Sequence, residues 1–288
     1  MAGWRDFHPF EERPMADADL SLHPLALAFL ERLPRHKTAG KQLHRQDDGR
    51  VVGDWVGLEL SSAFQPIVDA AGQIIGREAF LRSASADDQG LSPWTLFAAA
   101  TDDARLIALD RLARTLHLLN ALVGGNTGLL FLNVHGRLLA AVGDDHGRAF
   151  RRVVDALGVR PDSIVIETPV EASAQPDLLA FVLRNYRNNG FRVAVNVDSA
   201  AQWQSIASTV HPHFVKIDSR KLGHGHEAQE RLKWLNALRE DATLIVTHLE
   251  TPSADHQIGQ SLLQGYAFGH PSAAISSRQE GVSSTPSP

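Results

Sequence analysis

Short apolar runs separated by helix-length segments constrain this chain more than any other feature. Gly128–Asn133, Ser163–Glu167, Arg192–Asn196, Phe214–Asp218 and Thr243–Thr247 each read as a buried strand, with a weaker run near Gly265–Phe268. Most are trailed by a segment with helical spacing. Upstream, Leu58–Val68 and Gln73–Arg82 read as two strands joined across Asp69-Ala70-Ala71-Gly72, a hairpin signal. Helical periodicity follows at Trp94–Ala100 and Ala104–Leu122, where Leu106, Leu109, Leu112, Leu116 and Leu119 recur at spacings of three and four. Strands alternating with helices imply a parallel sheet, and this many units favour a closed α/β barrel with its chemistry at the C-terminal strand ends.

The length of 288 residues allows one large domain or two small ones, and 43% hydrophobic content can fill a sizeable core. A net charge of −5 argues against a general nucleic-acid binder. The chain has no cysteine, which excludes disulfides, thiolate metal sites and cysteine nucleophiles and fits a reducing cytoplasm. Met1–Pro14 lacks the apolar core of a secretory signal, and no run approaches the roughly 18 apolar residues of a membrane span. Residues 1–55 read as an N-terminal extension with a short helix at Pro24–Leu33 and a solvated basic linker at Arg35–Arg50. The barrel is expected over 56–271, and the Ser- and Pro-rich 272–288 as a disordered tail.

Asn133, Glu167, Asn196 and Lys216 each close or interrupt an apolar run, and Glu250 lies just beyond one. Alone, any of them reads as a cap or a surface residue. Together, at the ends of successive units, they would converge on one mouth. Buried charges are costly unless they pair or bind metal, so the spacing points to a divalent-metal site there.

Four segments carry a resemblance. They are Phe64-Gln65-Pro66-Ile67-Val68, Glu78-Ala79-Phe80-Leu81-Arg82, Val215-Lys216-Ile217-Asp218, and Gln264-Gly265-Tyr266 followed by Gly269-His270-Pro271. In this order they resemble the EAL domain family, which hydrolyses or binds the bacterial second messenger cyclic di-GMP. The resemblance implies a modified TIM (β/α)₈ barrel with one antiparallel strand, and often a homodimer. In active members two Mg²⁺ or Mn²⁺ ions activate water for in-line attack on a phosphodiester, giving linear pGpG. By position, Glu78, Asn133 and Glu167 match metal ligands, and Lys216 matches the lysine near the attacking water. Gln264 matches the glutamine of the last strand. Gln65 and Arg82 match nucleotide-contacting positions, where a guanidinium suits a phosphate.

Departures from the family pattern concentrate at the metal positions. The Asp-Asp-Phe-Gly segment of active members is here Asn196-Val197-Asp198-Ser199, so Asn196 and Val197 replace two aspartates. The family's Glu-x-x-Glu becomes Glu167-Thr168-Pro169-Val170. Its Glu-Gly-Val-Glu becomes Thr247-His248-Leu249-Glu250, so Thr247 replaces the glutamate assigned as base or metal ligand. The stretch from Glu250 to Gln264 is also shorter than in relatives. Two divalent ions about 4 Å apart repel by roughly 17 kcal/mol at an effective dielectric near 20. Bridging carboxylates must offset that repulsion, and Asn196 and Val197 carry no charge. One hard cation could still bind through Glu78, Asn133 and Glu167. Two rescues are open: Asp198 shares a strand face with Asn196, and Glu250 could cover for Thr247.

Three function classes follow: a degenerate EAL protein that binds cyclic di-GMP or a regulatory partner with little or no hydrolysis, a slow phosphodiesterase with at most one ion, and a protein-interaction module without nucleotide binding. Other motifs read blandly. His211, His213, His224 and His226 name no further zinc ligands. Gly124–Gly128 precedes a strand and is a turn, and Trp94, Trp203 and Trp234 are packing residues. His248 stands where the family has glycine, either crowding the pocket or serving as a substituted ligand.

Overall fold

The computed structural model describes residues 20, 22–84, 92–126, 128–141, 147–223, 225–238, 242–251 and 261–275. Its strands are β1 (Leu43–Arg45), β2 (Val51–Trp55), β3 (Leu58–Val68), β4 (Ile74–Ala84), β5 (Leu129–Asn133), β6 (Ile164–Thr168), β7 (Arg192–Val197), β8 (Phe214–Asp218), β9 (Thr243–Thr247) and β10 (Leu262–Gln264). The helices are α1 (Pro24–Glu31), α2 (Pro93–Ala98), α3 (Asp103–Val123), α4 (Gly136–Ala141), α5 (Arg148–Ala156), α6 (Pro176–Asn188), α7 (Ala200–Ile206) and α8 (Gly225–Leu238).

Strands β3 to β10 form a closed ring, because β3 pairs with both β4 and β10. β3 runs antiparallel to those two neighbours, whereas β4 through β10 run parallel. This is the expected α/β barrel of TIM type with one reversed strand. The β3–β4 turn explains the reversal locally. Asp69 Oδ1 accepts from the amides of Ala71 and Gln73 at 2.9 and 2.8 Å, and Gly72 takes the left-handed φ of +80° that the turn requires.

Alternate residues along each strand face the barrel axis. Ile67, Leu129, Phe131, Val165, Ala194, Phe214, Ile245 and Leu262 pack into one buried cluster inside the ring. Phe131 and Phe214 meet edge to face, with centroids 5.2 Å apart. Gly76 makes room for this pair: a Cβ there would lie 2.7 Å from the Leu129 carbonyl and 3.1 Å from the Phe131 ring. The cluster is the floor on which the polar mouth rests.

Helix α3 shows how the outer layer docks. Asp102 caps it by accepting from the Arg105 amide at 2.8 Å, and Leu106, Leu109 and Leu116 on its inner face are fully buried. Asn120 then acts as a strand partner for β2, its Oδ1 accepting from Val51 N and its Nδ2 donating to Val51 O, both at 2.8 Å. Nδ2 also reaches Ser62 Oγ at 3.2 Å, which pairs with His117 Nδ1 at 2.8 Å. Burial pushes the His117 imidazole down to about 3, so it is neutral at pH 7.

Three sequence expectations are corrected. The stretch Arg35–Arg50, expected as a solvated linker, contains β1, and the next strand, β2, pairs with both β1 and β3. The weak strand expected at Gly265–Phe268 is a 3₁₀ turn at Tyr266–Phe268, and the last strand lies earlier, at Leu262–Gln264. The expected tail begins with Ser272, which exchanges two backbone hydrogen bonds with Phe64. The rest of the expected tail, from residue 276 onward, lies outside the described residues, as do the start of the expected N-terminal extension, His224 and residues 252–260, where a shortened segment was expected.

Candidate functional site

The C-terminal ends of the parallel strands raise a ring of polar side chains above the aromatic floor. Glu78 comes from β4, Asn133 from β5, Glu167 from β6, Asn196 from β7, Lys216 from β8 and Gln264 from β10. Gln65 on β3 lies opposite Glu78 in the register. The structure brings these seven together. At the centre is the Lys216 ammonium, with its side chain 2% exposed. It lies 2.6 Å from Glu78 Oε2 and 2.7 Å from Glu167 Oε2, and 5.7 Å from the Phe131 ring centroid.

Every oxygen of the two carboxylates accepts a hydrogen bond. Asn133 Nδ2 donates to Glu78 Oε1 and Gln264 Nε2 to Glu78 Oε2, both at 2.8 Å. Asn196 Nδ2 donates to Glu167 Oε1 at 2.8 Å and to the Thr168 carbonyl at 2.9 Å. Gln264 Nε2 also reaches Gln65 Oε1 at 3.2 Å, and Gln65 Nε2 donates to the Gly269 carbonyl at 3.1 Å. Gln264 Oε1 is buried and has no hydrogen-bond partner among the described residues.

Charge follows from this geometry. Burial disfavours the Lys216 ammonium, yet Glu167 and Glu78 outweigh it and hold its pKa above the ordinary lysine value. Burial also opposes ionisation of Glu78, but Lys216 and the amide donors hold its carboxyl below the usual range. Glu167 is pushed up, by burial first and then by the neighbouring Glu78 charge. With both carboxylates ionised the centre carries a net charge of −1: two carboxylates less one ammonium.

A second cluster lies on the rim. Asp218, two residues beyond Lys216 on β8, forms a forked ion pair with Arg220 at 2.6–3.0 Å. Thr247 Oγ1 donates to the Ile217 carbonyl at 3.2 Å, so at 3.0 Å it can only accept from His248 Nδ1–H. The same ring nitrogen lies 3.5 Å from Asp218 Oδ2. His248 adopts a left-handed φ of +59°, a conformation that costs a non-glycine residue roughly 1–2 kcal/mol. Its pKa is lowered, by burial first, with Asp218 opposing.

The EAL domain model matches residues 57–271 of this chain. The chain belongs to the EAL domain family. Among solved structures, the EAL domain resembles FimX from Pseudomonas aeruginosa bound to c-di-GMP at 20% identity and a TM-score of 0.63, over 77% of this chain and 94% of that one. It resembles the manganese and cyclic-di-GMP complex of Klebsiella pneumoniae BlrP1 at 25% identity and a TM-score of 0.60, over 74% and 56%. It resembles the EAL enzyme Bd1971, bound to cAMP and cyclic di-GMP, at 15% identity and a TM-score of 0.56, over 74% and 62%. The chain thus spans less than two thirds of BlrP1 and Bd1971. No curated protein matches the chain by sequence.

The remaining expected residues of this EAL domain lie away from the central cluster. Arg82 is exposed and shares a strand face with Glu78, four residues and about 13 Å further up β4. Its Nη1 donates to the Leu81 carbonyl. Asp198 is exposed on the rim and lies 3.8 Å from Lys221, and Glu250 is exposed as well. Val197 is buried in the core between sheet and helices. His213 Nδ1 is already used, accepting from the Val193 amide at 3.0 Å. Asp218 was missed as a site residue. Its signal was the i, i+2 spacing from Lys216, which puts both on one strand face.

The donor set can be tested against the family's metals. Two ions bring a charge of +4 to a centre of −1. Asn196 supplies no charge, and both asparagines turn N–H groups toward the carboxylates. Among the described residues, no group of three or more His, Asp or Glu side chains is placed to hold a metal ion. No helix among them is long and apolar enough to cross a membrane.

Proposed function

We propose that this EAL domain binds cyclic di-GMP as a receptor with little or no hydrolysis. The observation that supports this reading is the Lys216 ammonium bonded to both Glu78 and Glu167, with an asparagine amide donating to the other oxygen of each carboxylate. The two carboxylates are thereby engaged by neighbouring side chains, and the substitutions at Asn196, Val197 and Thr247 remove charges that a close metal pair would need. Gln65, Arg82 and Gln264 remain as nucleotide-contacting groups.

A slow hydrolytic reading draws on the same centre. One hard cation, Mg²⁺ or Mn²⁺, would be held by Glu78, Glu167 and the carboxamide oxygens of Asn133 and Asn196 after both amides turn. It would supply Lewis-acid polarisation of a phosphoryl oxygen. Lys216 would then carry the charge beside the phosphate. A cytoplasmic location, a regulatory protein partner and a homodimer belong to the receptor proposal, as does the division into extension, barrel and tail. Incubation with cyclic di-GMP and Mn²⁺, followed by chromatography for pGpG, tests the assignment. Intact nucleotide is expected, and turnover that Glu78→Ala abolishes would overturn it.

A further inference from the structure

Helix α1 is apolar on sides that the barrel does not cover. Ala26 and Leu30 are buried in the core, yet Leu22, Leu25, Leu27 and Phe29 stand 42%, 51%, 43% and 38% exposed. These are four of the seven large apolar side chains exposed among the described residues, and they fall within eight positions. The helix is held in that pose. His23 Nδ1 accepts from the Leu25 amide at 3.2 Å, and Gly158, with a φ of +70°, leaves the space that the His23 ring fills. Gly158 lies in the turn leading into β6, at the end of the barrel remote from the polar mouth. Helix α1 also lies outside the residues that the EAL domain model matches.

Basic residues follow directly. Arg32, at the C-terminal end of α1, falls on the same helix face as Leu25 and Phe29, at spacings of seven and three. Arg35, Lys37 and Lys41 come next, all exposed, in the stretch before β1. Lys37 pairs with Asp54, whereas Arg32, Arg35 and Lys41 make no ion pair among the described residues. Residues 22–41 carry four cations less Glu31, a charge of +3, against −5 for the whole chain and hence −8 for the rest. Exposed apolar side chains rimmed by cations suit a surface with hydrocarbon below and anionic phosphate at its face. A second copy is a poor fit, because an isologous pair would set one +3 patch against another. Nucleic acid would meet the cations but leave the four apolar side chains in water.

We propose that α1 and the basic stretch after it dock the chain on an anionic lipid surface, with Leu22, Leu25 and Phe29 entering the acyl boundary. This goes beyond the receptor reading and does not depend on it. The mouth, at the other end of the barrel, stays open to solvent. The test uses the full chain without nucleotide and vesicles of phosphatidylcholine, alone or mixed with phosphatidylglycerol. The protein should sediment with the mixed vesicles, less so as salt is raised, and stay in solution with phosphatidylcholine alone. Because the chain has no cysteine, Leu25→Cys labelled with the environment-sensitive fluorophore NBD reports insertion as a blue shift of emission. Arg32→Gln, Arg35→Gln and Lys41→Gln together should weaken partitioning roughly 100-fold. Leu22→Ser with Leu25→Ser should weaken it roughly 10-fold or more. Circular dichroism confirms that each variant is folded. Equal sedimentation with both kinds of vesicle, sedimentation without the blue shift, or none with either overturns the proposal. Self-association that the two serines abolish, with no lipid binding, also overturns it and assigns the face to a second copy. Each of these leaves the receptor reading standing, because calorimetry with cyclic di-GMP tests that reading separately.

Discussion

Lys216→Met keeps the buried aliphatic stem and removes the ammonium that bridges Glu78 and Glu167. Two charge-assisted contacts of 2.6 and 2.7 Å are lost. More important, two buried carboxylates are left facing each other. Breaking a buried ion pair from one side costs about 3–5 kcal/mol, because the uncompensated charge stays buried. At about 2–4 °C per kcal/mol for a domain of this size, the melting midpoint should fall by roughly 6–20 °C at pH 7. The sign of the pH effect follows from the same loss. Without Lys216, burial and mutual repulsion raise at least one carboxyl in the folded state above its unfolded value near 4.5. A raised carboxyl contributes stability below its unfolded pKa, and that contribution is lost as pH rises through the folded pKa. The deficit relative to the unaltered protein should therefore shrink between pH 7 and pH 4.5. Urea unfolding followed by tryptophan fluorescence at several pH values measures it. Calcium should raise the midpoint of the variant more than that of the parent, since binding to the folded state stabilises by mass action. A deficit under about 1 kcal/mol that does not change with pH would refute the bridging role.

Other perturbations test separate parts of the structure. His117 is held neutral down to about pH 3 when folded, so its contribution is present above its unfolded pKa near 6.5 and is lost as pH falls toward 3. The limiting slope is about 1.4 kcal/mol per pH unit, and denaturant titrations of His117→Gln should show that slope reduced. Asn196→Asp turns a donor to Glu167 and Thr168 into a carboxylate facing two acceptors. It should cost about 1–3 kcal/mol without metal and acquire stabilisation by Mn²⁺, read as a thermal shift. Gly265→Ala pushes a Cβ into the Leu249 backbone, and nucleotide affinity should fall together with the melting midpoint. If Gly265→Ala leaves both unchanged, the turn is not rigid.

The barrel was legible because its strands are buried on both faces and its helices carry unbroken apolar periodicity. Leu129–Asn133 and Leu106–Leu119 are visible in any short window of sequence. β10 was misplaced because three residues, Leu262–Gln264, are too few for periodicity, while Gly265–Phe268 imitates a short apolar strand. β1 and β2 were missed for a different reason. β2 is docked on α3 by Asn120, a carboxamide 69 positions from Val51 whose role no local pattern reveals. At the site, the places of Asn133, Glu167, Asn196, Lys216 and Glu250 at or just beyond successive apolar runs announced convergence, and Glu78 was added by the family resemblance. It did not reveal that Lys216 would sit between the two carboxylates. That depends on barrel closure, which brings residues 138 positions apart into contact. Asp198 and Glu250 were read as rescuers by spacing alone, and the strand ends place both on the exposed rim.

A calorimetric titration of cyclic di-GMP into the protein in EDTA, repeated in Mn²⁺ with the nucleotide recovered, tests the receptor proposal most directly. The account predicts saturable heat in EDTA, the same affinity in Mn²⁺, and intact cyclic di-GMP after both titrations. No heat in EDTA, with binding and conversion to pGpG when Mn²⁺ is added, would contradict it.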